Sequence, residues 1–348
     1  MKKVLYIVED TESAQFRYRV KNVTETLKDS TKWEAEWVLK SEVEKIGLDG
    51  VDLLVVLRQT AKDRKILDLV DLAHKRGIKV LFDLDDLIFD YKDLPILMRA
   101  TNSKNIVYWM GYVWGIRRIA KKMDGFIATN EFLAEKLKRS FKKPCAVIPN
   151  SLDKAQLEVA EKCLNKKAHD DFVVGYFSGS PTHAKDFRMV EPELIRFLDA
   201  HDNAKFLMVG YMELTPEMSK LVDSKKVEVM KLMNYLKLIE LESKVDVNIA
   251  PLIVNDFTNS KSELKFFEAA AVETTTIASP SYTFKRVIED GKNGFLAQLG
   301  EWYDKLEYLY NNSEKNQEVA KAARKYALEN YYGKKFTKEV EEAYELFG

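Results

Sequence analysis

The chain has 348 residues with a formal net charge of zero, and 46% of them are apolar. This length suffices for two domains with separate hydrophobic cores, and the zero net charge gives no overall attraction to nucleic acid. Two cysteines and four histidines argue against a disulfide framework or a histidine-rich metal site. The apolar run near the N-terminus is too short for a signal peptide, and no stretch approaches a membrane span, so the sequence predicts a cytoplasmic protein.

Short β-branched segments alternate with helix-period segments in the first half of the chain. In the first connection, Phe16, Val20, Val23 and Leu27 recur at intervals of four, three and four residues, as on the buried face of a helix. Apolar strands that alternate with helices are typical of a parallel, doubly wound α/β sheet. The predicted strands are 4–8, 35–39, 53–57, 79–82, 125–129 and 146–148.

The alternation stops after the sixth strand and then resumes. Pro149 and Asn150 end that strand, and a polar stretch leads to a new apolar strand at Phe172. Further strands are predicted at 205–209, 227–230, 246–250 and 275–278. We therefore predict a Rossmann-like domain over 1–152, a linker over 153–170, a second Rossmann-like domain over 171–330, and a C-terminal helix over 331–348 that could pack back on the first domain.

Two open parallel sheets in one chain predict a cleft between two domains. In such sheets, ligands bind beyond the carboxyl ends of the strands. We therefore expect the chemistry of this chain in the loops that follow its strands.

Four carboxylates follow the fourth strand, at Asp83, Asp85, Asp86 and Asp90. They could accept a proton, bind sugar hydroxyls or hold a metal, and Asp83-Leu84-Asp85 fits a short metal-binding D-x-D pattern. The alternative is that one or two of them only cap the following helix. We expect at least one functional aspartate here.

Three arginines follow strands of the first domain. Arg58 comes after the third strand, and Arg17 and Arg19 come after the first. Arg58 is expected at the edge of the cleft, whereas Arg17 and Arg19 either contact an anionic substrate or lie exposed on a helix. The glycine pattern G-x-G-x-x-G is absent from the loop after the first strand, which argues against a dinucleotide-dependent enzyme.

The segment 108–122 is aromatic and then basic. One interpretation is a peripheral contact with a membrane surface or a lipid-linked acceptor. The favoured interpretation is a helix buried by its aromatic residues against the first sheet, because those residues are not confined to one face.

The loop after the first strand of the second domain is suited to a phosphate. Gly179 allows close backbone approach to an anion, Ser178 and Ser180 offer hydroxyls, and His183 and Lys185 offer positive charge. The alternative is an ordinary turn followed by a helix cap.

The segment 259–271 carries the strongest local signal. Ser260 and Glu263 have the spacing of a capping box, which predicts a helix that begins there. At about 100° per residue, Lys261, Lys265 and Glu268 then share one narrow stripe. The positive helix end and the lysines could hold a phosphate, and the carboxylate could accept hydrogen bonds from sugar hydroxyls. A solvated face with paired charges is the alternative, although Glu268 lies among phenylalanines and alanines.

Taken in order, these segments resemble glycosyltransferases of the GT-B fold, in the group 1 family that uses nucleotide-sugar donors. The resemblance covers both halves, and two further segments resemble a bacterial surface-polysaccharide branch of that family. The segments of the general resemblance are 147–151, 249–252, 261–269, 277–280 and 290–296, and those of the branch are 83–89 and 176–187.

The resemblance implies transfer of a hexose-type sugar, more often with retention than inversion, from a nucleoside diphosphate sugar to a glycan, lipid-linked or protein acceptor. A UDP-sugar is the preferred donor, and no cofactor or metal is implied. The implied donor-binding residues are Ser178, Gly179, Ser180, His183, Lys185, Lys261, Ser262, Lys265 and Glu268, where Glu268 holds the ribose and Lys185 and Lys265 contact the diphosphate. Asp85 joins Lys185, Lys265 and Glu268 as a catalytic candidate, because Asp83, Asp85 or Asp86 would be the base in an inverting enzyme.

Two departures from the family pattern keep a second class of function open. Ser260 occupies the position where the family has an acid, and residues 12–17 replace the usual glycine-rich loop. A non-catalytic GT-B-like partner subunit or a glycan-binding protein is therefore the alternative hypothesis.

Overall fold

The computed structural model describes residues 1–45, 47–60, 64–164, 170–179, 184–211 and 213–348, apart from the side chains of residues 44 and 45. The chain forms two compact units. Unit 1 comprises Met1–Asp153, Asn259–Ser262 and Tyr331–Gly348, and unit 2 comprises Lys154–Thr258 and Glu263–Asn330.

Each unit is built on one parallel sheet. The strands of unit 1 are β1 (Lys2–Val8), β2 (Trp33–Leu39), β3 (Leu53–Leu57), β4 (Lys79–Leu84), β5 (Gly125–Ala128) and β6 (Cys145–Val147). The strands of unit 2 are β7 (Phe172–Ser178), β8 (Ala204–Gly210), β9 (Val227–Met230), β10 (Val247–Ala250), β11 (Thr275–Ala278) and β12 (Phe295–Leu296). The short strand β12 was not predicted, since two residues carry no periodicity.

Helices connect the strands throughout the described chain. Their bounds, in chain order, are α1 (Ala14–Phe16), α2 (Asn22–Thr26), α3 (Arg64–Lys75), α4 (Leu94–Ala100), α5 (Ile106–Lys122), α6 (Glu131–Phe141), α7 (Lys154–Cys163), α8 (Ala184–Ala200), α9 (Pro216–Asp223), α10 (Tyr235–Glu242), α11 (Asp256–Asn259), α12 (Leu264–Ala271), α13 (Tyr282–Val287), α14 (Trp302–Asn311), α15 (Ser313–Tyr331) and α16 (Gly333–Glu345). A π-helical segment, Arg17–Lys21, joins α1 to α2. Helix α7 lies within the segment predicted as a linker.

The strand orders confirm the predicted α/β class with two doubly wound sheets. In unit 1 the order is β2-β1-β3-β4-β5-β6, and in unit 2 it is β12-β11-β10-β7-β8-β9, with every pairing parallel. The direction of winding reverses between β1 and β3 in unit 1 and between β7 and β10 in unit 2. Open parallel sheets bind ligands at such switch points, beyond the carboxyl ends of the strands.

The C-terminal helix α16 completes the core of unit 1. Its Tyr344 is fully buried, and the Tyr344 hydroxyl lies 2.5 Å from the hydroxyl of Tyr6 on β1. The Tyr344 ring also packs at 5.3 Å from the ring of Trp33 on β2. The last helix therefore covers the first two strands of this sheet.

Arg19 forms a buried ion pair at the carboxyl edge of the same sheet. Its guanidinium donates to both oxygens of Asp83 at 2.9 and 3.0 Å, and both side chains are 1% exposed. The same guanidinium donates to the Ile148 carbonyl at 2.5 Å and to Asn150 Oδ1 at 3.1 Å. Arg19 is thus neither an exposed helix residue nor a substrate contact, because the π-helical segment turns it into the core.

Helix α5 corrects the prediction for the aromatic segment. The buried side of the helix carries Val113, Ile116, Ile119 and Ala120, whereas the aromatic residues Tyr108 and Trp114 are about half exposed. Trp109 and Tyr112 are partly buried, so aliphatic side chains form most of the buried side of this helix and the aromatic residues divide between its two sides. No helix in the described part of the chain has the length and apolar character needed to cross a membrane.

Gly210 allows two strands of unit 2 to approach closely. Its φ of +110° lies in the region that L-residues avoid, and an added Cβ would fall 1.8 Å from the Ser178 carbonyl oxygen. Gly210 ends β8 beside the end of β7, so only a residue without a Cβ fits next to the Ser178 carbonyl there.

The substitution Gly210→Ala should destabilise unit 2 far more than Gly300→Ala. Gly300 has a similar φ of +92° but nothing within 4 Å of an added Cβ, so the control measures backbone strain alone. We expect Gly210→Ala to cost about 1 to 3 kcal/mol beyond the control, because a backbone oxygen cannot move aside. Urea unfolding curves of the two variants measure the difference, and equal losses would contradict the proposed clash.

The substitution Arg19→Met should cost about 3 to 5 kcal/mol, because it leaves Asp83 buried without its partner. The double variant Arg19→Met/Asp83→Leu should lose less, because no charge is then buried. Arg76→Met is the matched control, since its pair with exposed Asp49 at 2.8 Å lies at the surface and contributes less than about 1 kcal/mol. Urea unfolding again provides the measurement, and a double variant less stable than Arg19→Met would contradict this account.

Candidate functional site

The carboxyl edge of the unit 2 sheet is assembled from the loops after β7 and β10. Strand β7 ends at the buried Ser178, Gly179 follows, and Lys185 lies exposed in the first turn of α8. Ser180 and His183, which the sequence also predicts as phosphate ligands, lie outside the described residues. Ser178, Gly179 and Lys185 are therefore placed at the switch point of this sheet.

The loop after β10 is held by two side chains from neighbouring connections. Asp186 accepts a hydrogen bond from the Ile253 amide at 2.9 Å, and Ser279 accepts one from the Leu252 amide at 2.9 Å. Asp186 begins α8 and Ser279 follows β11, so three loops are fixed to one another at this edge. Neither role is predictable from the sequence pattern, because neither hydrogen bond is local in sequence.

Helix α12 brings Lys265 to the end of β7. Asn248, fully buried on β10, donates to the Lys265 carbonyl at 2.8 Å and so fixes the start of the helix. The Lys265 ammonium donates to the carbonyl of Phe177 and lies 4.8 Å from the centre of the Tyr176 ring. The side chain thus places a cation at the carboxyl end of the strand beside the switch point.

Glu268 lies one turn further along α12 and is half-buried. Its Oε1 accepts a hydrogen bond from Nε2 of Gln156 at 3.1 Å, and Gln156 is fully buried on α7. This hydrogen bond orients the Glu268 carboxylate. Gln156 lies in the segment predicted as a linker, where the sequence offered no sign of a functional role.

A second carboxyl group, Glu242 at the end of α10, completes a charged cluster with Lys265 and Glu268. Glu242 is 3% exposed, and burial together with the Glu268 charge raises its pKa well above the ordinary value. Burial also lowers the pKa of Lys265 to about 8, although the charges of Glu242, Glu268 and Asp186 oppose this shift. Within the cluster, burial therefore favours the uncharged forms of both the Lys265 amine and the Glu242 carboxyl group.

The predicted capping box at the start of this helix is wrong. Helix α12 begins at Leu264, and its N-cap residue is Glu263, whose side chain makes no capping hydrogen bond. Ser260 is 1% exposed, and its carbonyl accepts a hydrogen bond from the Thr129 hydroxyl at 3.5 Å. Because that contact and those of Asn130 fix the backbone before the helix, Ser260 does not cap it.

Lys261 and Ser262 are consequently not on the helix. Both belong to unit 1, where Asn130 donates to the Lys261 carbonyl at 3.1 Å and the Lys261 ammonium pairs with Asp86 at 3.5 Å. The predicted stripe of Lys261, Lys265 and Glu268 is therefore not formed. Only Lys265 and Glu268 remain together on α12.

In unit 1, the loop after β4 forms a second charged cluster. Asp85 accepts hydrogen bonds from Gln15 at 2.7 Å and from Arg58 at 3.3 Å, and Asp86 accepts one from Arg58 at 2.8 Å. Burial and the Asp86 charge raise the pKa of Asp85. Burial acts in the same direction on Asp86, but the positive charges of Lys261 and Arg58 lower its pKa. Asp85 is thus the more basic of the two carboxylates.

Asp83 does not take part in this cluster, since both of its oxygens bind Arg19 in the core. This arrangement removes Asp83 from a D-x-D metal site. Among the described residues there is also no group of three or more His, Cys, Asp or Glu side chains that could hold a metal ion.

Comparison with known proteins identifies relatives of both the second unit and the whole fold. Residues 172–312 match the family model "Glycosyl transferases group 1". An alpha-monoglucosyldiacylglycerol synthase from Acholeplasma laidlawii is 30% identical over 145 residues, which are 39% of this chain. The chain matches only 35% of the length of that curated relative.

Solved structures resemble the chain over its full length. The Anabaena protein HepE, crystallised with UDP and glucose, has a TM-score of 0.68 at 13% identity and covers 100% of both chains. The Thermosynechococcus elongatus sucrose-phosphate synthase has a TM-score of 0.66 at 12% identity with 99% of both chains covered. A Rickettsia africae glycosyltransferase has a TM-score of 0.64 at 15% identity, covering 99% of this chain and 97% of its own. Residues 172–312 therefore form a group 1 glycosyltransferase domain, in a chain with the GT-B fold.

Proposed function

We propose that the protein is a glycosyltransferase that moves a hexose-type sugar from a nucleoside diphosphate sugar to a glycan, lipid-linked or protein acceptor. The observation that carries the proposal is the Lys265 ammonium at the carboxyl end of β7, within the domain that matches group 1 glycosyltransferases. UDP is the preferred nucleotide, because HepE was crystallised with UDP and with UDP-glucose.

The donor is assigned to unit 2. Lys265 already donates to the Phe177 carbonyl, and an ammonium has two further hydrogen atoms that can bind diphosphate oxygens. Ser178, Gly179 and Lys185 lie at the same strand end and supply additional donors. Negative charge grows on the diphosphate as the glycosidic bond breaks, and a fixed cation at that position lowers the free energy of the transition state.

Glu268 is assigned to the ribose hydroxyls of the donor. Its carboxylate is a strong acceptor that can take several hydrogen bonds, and the hydrogen bond from Gln156 fixes its orientation. Glu242 is assigned a positioning role. Burial and the Glu268 charge raise its pKa well above the ordinary value, which favours the neutral form of this carboxyl group near the diphosphate.

The acceptor is assigned to unit 1, and retention of anomeric configuration is the proposed outcome. A retaining enzyme needs no strong base on the acceptor side. In that case, the proposed role of Asp85 is to bind an acceptor hydroxyl. If the enzyme inverts, Asp85 is the proposed base, because its pKa is raised toward the pH at which a base works best. The anomeric coupling in the NMR spectrum of the product distinguishes the two outcomes. Bacterial surface-glycan synthesis is the proposed setting.

The substitutions Lys265→Ala and Glu268→Ala should each reduce sugar transfer at least about a hundredfold, as expected when a preorganised transition-state contact is removed. Transfer and hydrolysis of UDP-sugars by the purified chain provide the measurement, and melting curves verify that each variant is folded. Lys292→Ala and Glu289→Ala are the matched controls, since this exposed pair at 2.8 Å lies outside the candidate site.

Full activity in both site variants would refute the assignment of these residues. A wild-type chain that binds UDP, seen as a raised melting temperature, but neither hydrolyses nor transfers any UDP-sugar would instead support the non-catalytic alternative.

The affinity for UDP should fall as the pH rises from 7 to 9. Lys265 is protonated below its pKa of about 8, so the ammonium that attracts the diphosphate is progressively lost above that pH. Lys265→Arg should bind UDP without this decline, because a guanidinium keeps its charge over the whole range. Isothermal titration calorimetry at several pH values tests this, and an equal decline in both proteins would show that another group titrates.

A further inference from the structure

Helix α5 of unit 1 exposes an unusual amount of apolar surface at its N-terminal half. Val107 is 78% exposed, and Ile106, Tyr108, Met110 and Trp114 are each about half exposed. Large exposed apolar patches on a folded protein mark interaction sites, because contact with water costs free energy. The proposed transferase reaction makes no use of these side chains.

These exposed residues continue into a basic stripe on the same side of the helix. At about 100° per residue, Val107, Met110, Trp114, Arg118 and Lys121 fall within about 80° of one another. All five are exposed, and the Arg118 guanidinium lies 5.3 Å from the centre of the Trp114 ring. We call these five residues the α5 surface. It is apolar over its first turns and cationic over its last ones.

The chain segment that carries the α5 surface holds charges of one sign, and Asp71 of α3, which contacts this helix, is paired with Lys122. Residues 94–123 contain no aspartate or glutamate, although the chain as a whole contains 55, and they include six lysines and arginines. Lys122 pairs with Asp71, and Arg117 donates to the Phe89 carbonyl at 2.9 Å. Arg118 and Lys121 are exposed cations that could meet an external anion.

The buried side of α5 is complete without the α5 surface. Val113, Ile116 and Ile119 are all 0% exposed, so the helix is already anchored in unit 1 by its opposite side. The apolar stripe covers about two turns of exposed helix, which is too short to enter a bilayer core and suited to lying in its interfacial region. Tryptophan and tyrosine favour that region, and nearby cations are attracted to anionic headgroups by about 1 kcal/mol each.

We propose that the α5 surface docks on an anionic lipid bilayer as a peripheral interfacial helix. A second copy of this chain fits less well, because two such surfaces would bring like charges together without an acid between them. The same argument favours anionic over zwitterionic lipid, since only anionic headgroups neutralise Arg118 and Lys121. The inference concerns attachment and stands whether or not the proposed transferase activity does.

Vesicle flotation of the full chain tests the proposal. Wild-type protein should float with vesicles of phosphatidylcholine containing phosphatidylglycerol, bind much less to pure phosphatidylcholine, and be released by salt. The variant Arg118→Glu/Lys121→Glu should lose at least about tenfold in partitioning, which corresponds to the loss of two headgroup attractions. The variant Val107→Ser/Trp114→Ser should lose binding to a similar or greater extent.

The matched controls are Lys285→Glu/Lys292→Glu and Leu299→Ser, which alter exposed cations and an exposed leucine far from α5 in sequence and in the other unit. Both controls should partition like the wild type, and melting curves should show every variant folded. Absence of vesicle binding by the wild type, or equal binding by all variants, would overturn the proposal. A concentration-dependent dimer that Val107→Ser/Trp114→Ser abolishes would overturn it in favour of a second copy.

Discussion

The ion pair between Arg19 and Asp83 is the constraint on which the organisation of unit 1 depends. One guanidinium binds the carboxylate at the end of β4, the carbonyl of Ile148 just after β6, and the side chain of Asn150. The net contribution of a buried pair to stability is small, because desolvation opposes the attraction. Its effect is positional: it fixes the end of β4, and thereby the loop that presents Asp85 and Asp86.

Unit 2 also has a cation that donates to a backbone carbonyl, beside its own switch point. Lys265 also donates to a carbonyl at a strand end, that of Phe177, but the environment differs. The Arg19 guanidinium keeps its charge and donates its hydrogen bonds to protein groups in the core. Burial, in contrast, lowers the pKa of Lys265 to about 8. A cation whose charged form is destabilised by burial gains the most stabilising free energy from an anionic ligand. This difference separates a structural cation from a candidate ligand-binding one.

Charge is distributed unevenly in a chain whose total charge is zero. The stretch 94–123 of unit 1 contains six lysines and arginines and no acidic residue, although Asp71 of α3 pairs with its Lys122. Net charge is therefore a poor guide to partners of this protein. The local field around α5 acts over only about a Debye length, so it matters for surfaces that approach closely, such as lipid headgroups.

The sequence by itself determined the strands and the fold class, because continuous apolar runs and helical periodicity are local patterns. Phe16, Val20, Val23 and Leu27, spaced as on one helix face, are all buried. The sequence also indicated Lys265 and Glu268, which lie one turn apart on α12. Only the tertiary structure decided the hydrogen-bond partners of Arg19 and Ser260. Arg19 binds Asp83, which is 64 residues away, and the Ser260 carbonyl accepts from Thr129, which is 131 residues away. The same holds for Glu242 and Gln156, whose surroundings come from other helices. Local patterns determine periodicity, whereas burial and pairing depend on contacts that form only when distant segments pack together.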